Sequence, residues 1–385
     1  MPYADLRDFI SHLDRAGELK RVSVPVDPYL EVTEIVQRVV RERGPALLFE
    51  RPTSGDMPLA INLFGTDKRM AMALGAESLD EIGARIGDLV KTQIPVGWSG
   101  LKDAFGKLGQ LKNVPPKKVK NAPCQDVVLK GSDVDLNRIP GITSWPDDGG
   151  PFLNLGLTHT KHPETGQRNL GMYRLQRHDE RTVGMHWQIH KDSTAHHAVA
   201  ERRGERLPVA IAFGCDPAVT YAASAPLPAE IDEYLFAGFL RRERVEMVDC
   251  LTVPLQVPAN SQVVLEGWLE PGARLPEGPF GDHTGFYTPV EPFPALTVDC
   301  MTMQRDPLYQ TIVVGRPPQE DGPIGKATER IFLPLVQLTI PEIVDYDMPV
   351  EGVFHNCVIV AIEKRFPKHA QKVMNAVWGT GLLSL

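Results

Sequence analysis

The sequence lacks the usual signatures of nucleotide-binding and hydrolytic enzymes. It contains no GxGxxG after a predicted strand, no GxxxxGKS/T and no GxSxG, so a dinucleotide fold, a P-loop and an α/β-hydrolase lose their usual support. The five cysteines form no CxxC pair, which disfavours a disulfide framework and a zinc ribbon. No signal peptide or membrane-spanning apolar run is evident, and we expect a cytoplasmic protein.

The charge balance lacks a basic excess. Lysine and arginine total 41 against 49 acidic residues, giving a net charge of −8. The one basic cluster, KNVPPKKVK at 112–120, lies in a proline-containing stretch typical of a linker. We therefore expect no nucleic-acid partner.

The chain is long enough for two or three domains, at about 100–200 residues each. Residues 1–115 alternate helix-like stretches with the short apolar runs ALLF and LAINLF, which is typical of a small α/β domain. The predicted helices cover 4–16, 29–42, 67–74 and 78–92.

Strand-like runs dominate residues 119–315. Many alternate with period two, and helix-like segments interrupt them near 192–203 and 229–241, so we predict a barrel or a strongly curved sheet. The runs are DVVLK, NLGLTHT, LGMYRLQ, VAIAFG, VEMVDCLTV, QVVLEGWL, ALTVDCMTMQ and YQTIVVG.

Residues 316–385 return to an α/β pattern. After GRPPQEDGPIG come helix-like ERIFLPLVQLT, strand-like CVIVAIE and helix-like KHAQKVMNAVWG. The last residues, GTGLLSL, are apolar and follow a helix after which a βαβ unit would add a strand. We expect this region to be truncated, and to need further chain or a partner to cover its apolar end.

The segment EGPFGDHTG at 277–285 places two carboxylates around a turn. In a straight strand residues five apart point to opposite faces, which would separate Glu277 from Asp282. Gly278, Gly281 and Pro279 allow the chain to bend and bring both acids into one cleft. A solvated turn with incidental charges is the alternative.

Two predicted strands and one helix carry further polar residues. A histidine beside tryptophan is more often packed than a ligand, and Glu233 on the helix IDEYLFAGFL is typical of a solvated acid. NLGMYRLQ contains Asn169, Tyr173 and Arg174, and MHWQIHKD contains His186, His190, Lys191 and Asp192.

Five segments together resemble the UbiD family of aromatic and α,β-unsaturated acid decarboxylases: NLGMYR, MHWQIHK, EYLFAG, EGPFGDHTG and GRPPQED, in this order. The resemblance runs along essentially the whole chain. It implies an N-terminal α/β domain (1–115), a split β-barrel of the flavin-reductase type (119–315) and a C-terminal α/β domain that forms homo-oligomers (316–385). Family members normally extend beyond the position of Leu385, which again suggests a shortened chain.

The resemblance also implies prenylated FMN, a flavin with an additional ring, bound through its phosphate to Mn²⁺ and a monovalent cation such as K⁺. The implied catalytic residues are Arg174, Glu277 and Asp282, and the implied metal ligands are Asn169, His190 and Glu233, with His186 as the alternative to His190. The implied cofactor-lining residues are Met172, Tyr173, Arg174, His186, Trp187, Gln188, Lys191 and Asp192. Lys191 would face the phosphate as a point charge.

Three charges in a water-poor cleft are expected to separate the two carboxylate pKa values. We expect Asp282 to carry the proton returned to the substrate carbon, and Glu277 to tune Arg174 and the cofactor.

The cinnamate-type branch has Glu where this chain has Asp282, whereas Asp resembles the decarboxylases of quinone biosynthesis. We therefore expect decarboxylation of a polyprenyl hydroxybenzoate. The alternatives are a 1,4-dihydroxy-6-naphthoate, a small phenolic acid, or a flavin-storage module without turnover. A flavin prenyltransferase would supply the cofactor, and a prenylated substrate would bring the enzyme to a membrane surface.

Overall fold

The computed structural model describes residues 3–91, 114–228 and 231–380. Within these ranges the helices are α1 (Leu6–Arg15), α2 (Glu31–Arg41), α3 (Asp67–Ala73), α4 (Leu79–Lys91), α5 (Asp192–Arg202), α6 (Pro217–Ala222), α7 (Glu233–Arg241), α8 (Asp321–Thr339) and α9 (His369–Trp378). The strands are β1 (Leu19–Val22), β2 (Ala46–Phe49), β3 (Leu59–Ile61), β4 (Lys117–Lys118), β5 (Val127–Lys130), β6 (Phe152–Lys161), β7 (Arg168–Arg177), β8 (Thr182–Met185), β9 (Leu207–Phe213), β10 (Glu246–Asp249), β11 (Gln256–Pro258), β12 (Val263–Glu277), β13 (Glu291–Met303), β14 (Tyr309–Gln310), β15 (Ile343–Asp347) and β16 (Ile359–Ile362).

The N-terminal region folds as the predicted α/β unit. In α1 the Asp5 side chain accepts a hydrogen bond from the Asp8 backbone N–H (2.9 Å), which satisfies a free donor of the first turn. The helix buries its apolar stripe, Leu6, Phe9, Ile10 and Leu13. Strands β1, β2, β3 and β14 form one sheet in that order, so the end of the predicted central region contributes a strand to it.

The central region forms the predicted barrel. Six strands pair in the order β12-β9-β6-β7-β8-β13, and pairing of β12 with β13 closes the ring. Strand β5 adds to the outer edge of β13. Nine of the ten residues of β6 are buried. One face of the strand packs in the apolar interior of the barrel, and helices and loops cover the other face.

The structure corrects two of the predicted element assignments. Strand β8 ends at Met185, so residues 186–191 leave the barrel wall, and Asp192 begins α5. Helix α8 begins at Asp321, not at Glu329, because the glycines and Pro323 of the preceding sequence fit a first helical turn, where proline loses no hydrogen bond. The ends of two predicted helices, at residues 92 and 229–230, lie outside the described ranges.

Helix α8 links the C-terminal region to the rest of the chain. It packs against α3 and α4 on one side and β15 on the other. Just before it, the buried Glu320 carboxylate accepts backbone N–H groups from Asn62 and Phe64, each at 2.7 Å. The start of α8 is therefore tied to the N-terminal region. The predicted apolar end at 381–385 lies outside the described residues.

The five cysteines are free, and no helix in the described part of the chain is both long and apolar enough to cross a bilayer.

Barrel closure depends on a close approach at Gly267. The β12–β13 register shifts beside this residue, and a Cβ there would lie 2.1 Å from the Thr297 carbonyl oxygen. We expect Gly267→Ala to destabilise the protein by about 1–3 kcal/mol, as overpacking does elsewhere. A lowered thermal-unfolding midpoint in circular dichroism would show this.

Gly87→Ala is the matched control. A Cβ at Gly87 in α4 would stand 3.5 Å from Pro334 Cβ, an ordinary contact, and alanine is favoured over glycine in a helix by roughly 0.5–1 kcal/mol. Equal midpoints for the two variants would show that the barrel accommodates a side chain at Gly267.

Candidate active site

Arg174 on β7 joins the two carboxylates of the turn after β12. Its Nε donates to Glu277 Oε1 (2.8 Å) and its Nη1 donates to Asp282 Oδ2 (3.0 Å). The side chains of Arg174, Glu277 and Asp282 are 10%, 0% and 17% exposed. The guanidinium carbon also lies 4.1 Å from the centroid of the Phe280 ring, a cation–π geometry. The charges therefore meet where little water reaches them.

The turn has the bend that the glycines predicted. Gly278 directly follows Glu277, the last residue of β12, and has a φ of 99°, a backbone angle that residues with a side chain rarely adopt. Gly281 serves a different purpose, since a Cβ there would lie 2.0 Å from Trp145 Cδ1. Gly278 therefore allows the chain to turn, and Gly281 allows the backbone to lie close to the Trp145 ring.

Two residues that the sequence reasoning missed hold the turn in place. Gln176 on β7 accepts the Gly278 backbone N–H (2.7 Å), and Asp148 accepts the Gly281 backbone N–H (2.8 Å). Asp148 lies in the segment DDGGP, whose glycines predict a turn. The neighbouring sequence does not indicate that Asp148 contacts the backbone of Gly281. Gln176 is two residues beyond Arg174 and faces the same side of the strand.

Both carboxylates of the cluster have lowered pKa values. Burial acts to raise the pKa of Glu277, but hydrogen bonds from His186 and Arg174 outweigh it. Burial likewise opposes the change at Asp282, yet its hydrogen bond with His283 and the charge of Arg174 hold its pKa well below the ordinary range. These shifts favour the ionised form of both acids, and the role of Asp282 as proton donor stays a prediction. Arginine and histidine stabilise both anions.

His186 belongs to this charge cluster. Its Nδ1 lies 2.9 Å from Glu277 Oε2 and 3.0 Å from Arg174 Nη2, and its ring packs against Phe293 with centroids 4.4 Å apart. This nitrogen can donate to the glutamate or accept from the arginine, but not both at once. His186 thus positions Glu277, which supports His190 over His186 as the predicted metal ligand.

Two of the three predicted metal ligands lie close together. The Leu170 backbone N–H, next to buried Asn169, donates to Glu233 Oε2 (3.2 Å), and Asn169 Nδ2 donates to Ser193 Oγ (3.0 Å). Burial, followed by the nearby acids Asp232 and Asp192, raises the pKa of Glu233 to about 8. A carboxylate in such surroundings favours a cation that would restore its charge.

His190 lies in the exposed turn at 188–191 and makes no hydrogen bond or ion pair within residues 3–91, 114–228 and 231–380. No three His, Cys, Asp or Glu side chains converge as a metal site in that part of the chain. The complete ligand set therefore stays a prediction.

The predicted cofactor-lining residues lie on β7, in the segment after β8 and at the start of α5. The Met172 N–H donates to the Ala223 carbonyl (3.1 Å), and the Tyr173 and Trp187 rings lie 5.9 Å apart. Burial lowers the pKa of Lys191 and raises that of Asp192, and Gln188 is exposed. A cleft of about 640 Å³ opens here, lined by His186, Trp187, Gln188, His190, Arg274 and Phe293 among others.

The solved structures that share this architecture include a decarboxylase. Vanillic acid decarboxylase of Sedimentibacter hydroxybenzoicus in its closed form has a TM-score of 0.85 at 26% identity, over 99% of this chain and 79% of that one. An evolved dimeric form of HmfF from Pelotomaculum thermopropionicum, solved with prFMN, has a TM-score of 0.83 at 27% identity, over 97% and 82% of the two chains.

Sequence relatives extend over the whole chain. An uncharacterised protein of Archaeoglobus fulgidus is 49% identical over 389 residues, which cover 100% of this chain and 79% of the relative. A protein of Aquifex aeolicus is 48% identical with the same coverage.

A barrel that holds an arginine between two carboxylates, in a fold shared with decarboxylases, defines the class as carboxy-lyase. Family profiles for 3-octaprenyl-4-hydroxybenzoate carboxy-lyase match at residues 10–86 (N-terminal domain), 117–317 (Rift-related domain) and 323–385 (C-terminal domain). The chain belongs to the UbiD family, as its sequence motifs predicted.

The lowered pKa of Glu277 predicts a pH-dependent contribution to stability. A carboxylate whose pKa is lower in the folded protein contributes its full stabilisation at pH values above its ordinary pKa, which is near 4.5 for Glu277. This contribution is lost as the pH falls through the pKa of the folded state. We expect Glu277→Gln to destabilise the protein by about 1–3 kcal/mol near neutral pH, with the difference shrinking at acid pH.

Unfolding midpoints of wild type and variant from about pH 7 down to pH 3 measure this difference. Glu270→Gln, at an exposed position of the same strand, is the control and should show no such trend. A Glu277→Gln deficit that stays constant across the range would mean that the charge of Glu277 is not what stabilises the cluster.

Proposed function

We propose that this chain catalyses the reversible, non-oxidative decarboxylation of a hydroxyaryl carboxylic acid with prenylated FMN. The observation that carries the proposal is the Arg174 guanidinium held between Glu277 and Asp282 in a nearly dry site. Binding a flavin phosphate does not require that cluster. Membership of a carboxy-lyase family and likeness to a structure with bound prFMN support the same activity.

The reaction explains the need for a cofactor. Loss of CO₂ from a ring carbon leaves an electron pair orthogonal to the π system, and no side chain offers a sink for it. Prenylated FMN supplies that sink when bound. The chain itself must orient the acid, exclude water and return a proton to the carbon that lost CO₂.

Arg174 is suited to orienting the substrate carboxylate. Its charge is fixed at all relevant pH values, and its planar group can bind a carboxylate through two nitrogens. Glu277, kept ionised by Arg174 and His186, holds the guanidinium in position. Phe280 covers its face and limits access of water.

Asp282 is the proposed proton donor. It is ionised in the resting site, so it has to gain a proton after substrate binds. A substrate carboxylate at Arg174 would add a negative charge beside Asp282 and compete for the arginine, and both effects raise the pKa of Asp282. The proton it then carries replaces CO₂ on the ring carbon.

Asn169 and Glu233 fit a hard divalent cation such as Mn²⁺. An amide oxygen and a carboxylate are oxygen ligands of the kind such cations prefer, and the desolvated Glu233 carboxylate lacks a counter-charge in the described ranges. His190 would complete the set. The cation, with K⁺ beside it and Lys191 nearby, would hold the phosphate of the flavin.

The substrate we propose first is 4-hydroxy-3-polyprenylbenzoate in quinone biosynthesis. Asp282, which resembles the quinone branch, supports it. A prenyl tail would bring the enzyme to a membrane surface, a flavin prenyltransferase would supply the cofactor, and the protein would work as a homo-oligomer in the cytoplasm.

Small phenolic acids are the second candidate, because the cleft beside His186 has charged as well as apolar walls and a vanillic acid decarboxylase shares the fold. A 1,4-dihydroxy-6-naphthoate is the third.

Co-expression with a flavin prenyltransferase tests the proposal. Absorbance and mass spectra should show prenylated FMN, and a CO₂-release screen over the three acids should identify the substrate. Bound flavin with neither CO₂ release nor solvent exchange into product would instead indicate a storage module.

Metal and flavin binding should be linked through Glu233. Glu233→Ala removes the proposed carboxylate ligand, and we expect the purified protein to lose manganese and flavin together. Elemental analysis and flavin absorbance measure both. Glu243→Gln, in the exposed turn after the same helix, should retain both. Stoichiometric metal and cofactor in Glu233→Ala would refute the ligand assignment.

Asp282→Asn should stop turnover while flavin stays bound. It keeps the shape of the side chain but removes the acid, and loss of a positioned general acid costs roughly 10²- to 10⁴-fold in rate. In heavy water the wild type should place deuterium on the carbon that lost CO₂ and exchange it into added product. Asp306→Asn, exposed after β13, is the control. Wild-type exchange by the holo Asp282→Asn protein would remove Asp282 from the mechanism.

A further inference from the structure

The two oxygens of Asp282 have different partners. Oδ2 accepts from Arg174 Nη1 (3.0 Å), whereas Oδ1 lies 2.6 Å from His283 Nδ1 and accepts the His283 backbone N–H (2.7 Å). Arginine does not release its proton in proteins. Arg174 and His283 are the side chains that hydrogen-bond to Asp282 among the described residues, so a proton that one of them gives to Asp282 comes from His283.

His283 is placed to exchange protons with its surroundings. Its side chain is 23% exposed, so one face of the residue reaches solvent while Nδ1 faces Asp282. The hydrogen bond with Asp282 raises the pKa of His283, against an opposing effect of burial. The imidazolium is thus favoured nearer neutral pH than for an ordinary histidine.

The C-terminal region supplies the other groups that face His283. Phe354 and His355, after the 3-10 helix Val350–Gly352, place their rings with centroids 5.9 Å and 4.6 Å from that of His283. Burial lowers the pKa of His355 to about 4, so this ring is neutral near pH 7. Arg174 is the cation that opposes protonation of His283.

Asp321 opens α8 and lies close enough to His283 for each to shift the pKa of the other. Its Oδ1 has no solvent contact and no hydrogen-bond partner among the described residues. Burial raises the pKa of Asp321 to about 7, with His283 acting against that rise. Its position is set by the neighbouring Glu320, which binds the backbone of Asn62 and Phe64.

We propose that His283 reprotonates Asp282 during turnover. The inference rests on the proposed role of Asp282 as proton donor. It extends the proton pathway from Asp282 to a side chain that solvent reaches. The rings of Phe354 and His355, from the C-terminal region, lie beside this pathway.

The proton balance is as follows. The His283 imidazolium gives its Nδ1 proton to Asp282, leaving a neutral imidazole and a carboxylic acid. Asp282 gives that proton to the ring carbon, where the electron pair of the broken C–CO₂ bond becomes the new C–H bond. A proton from water restores the imidazolium, so each turnover consumes one proton and releases one CO₂.

Histidine-labelled NMR of the purified protein tests the coupling without relying on activity. The His283 signal is the one lost in His283→Asn. We expect it to titrate above the ordinary value of about 6.5, and to titrate lower in Asp282→Asn, where the charge of its hydrogen-bond partner is removed. A His283 pKa that Asp282→Asn leaves unchanged would overturn the proposal.

The pH profile of the holoenzyme tests the transfer. The protonated form is needed, so kcat should fall as pH rises through the raised pKa of His283. His283→Asn keeps a donor where Nδ1 was but cannot carry the extra proton. The kcat of this variant should no longer show the fall at alkaline pH. Its rates of CO₂ release and deuterium exchange should both decrease, by no more than the roughly 10²- to 10⁴-fold that loss of a general acid costs.

Added imidazole should partly restore exchange in His283→Asn, which a purely structural defect would not allow. His12→Asn, in α1, is the matched control and should retain the wild-type profile. Wild-type exchange and an unchanged profile in His283→Asn, with Asp282→Asn inactive, would overturn the relay and leave the donor assignment intact. Wild-type exchange in Asp282→Asn would overturn both.

Discussion

The site depends on one arginine held between two carboxylates where water is scarce. An isolated guanidinium or carboxylate would be expensive to bury, and each is acceptable here because Arg174, Glu277 and Asp282 compensate one another. Hydrogen bonds from His186 and His283 satisfy the remaining oxygens. The arrangement keeps both acids ionised until another charge enters, which makes the site responsive to a bound carboxylate.

The barrel makes this arrangement geometrically stable. Arg174 lies on β7 and Glu277 ends β12, strands on opposite sides of the six-stranded ring. They are connected through β9 and β6 on one side and, because β12 pairs with β13, through β13 and β8 on the other. Gln176 and Asp148 then anchor the turn that carries Asp282. Closing the ring places the carboxylates beside the arginine, since strands in a closed barrel have little freedom to separate.

The C-terminal region reaches the same site from outside the barrel. Glu320 fixes the start of α8 against the N-terminal region, and Asp321 follows directly. The rings of His283 and His355, which come from two parts of the chain, lie nearby with centroids 4.6 Å apart. The surroundings of the proposed donor are therefore built by both the barrel and the C-terminal region.

Sequence alone determined the α/β character of the first region, the barrel and the bend between Glu277 and Asp282, because apolar periodicity and glycine positions are local signals. The family motifs identified Arg174 as the common partner. Tertiary structure decided what has no local signal: His186 beside Glu277, Asp148 under the turn, Asp321 near His283, and the ionised state of Asp282. A pKa depends on burial and on charges from distant segments, and these exist only once the strands and α8 have packed together.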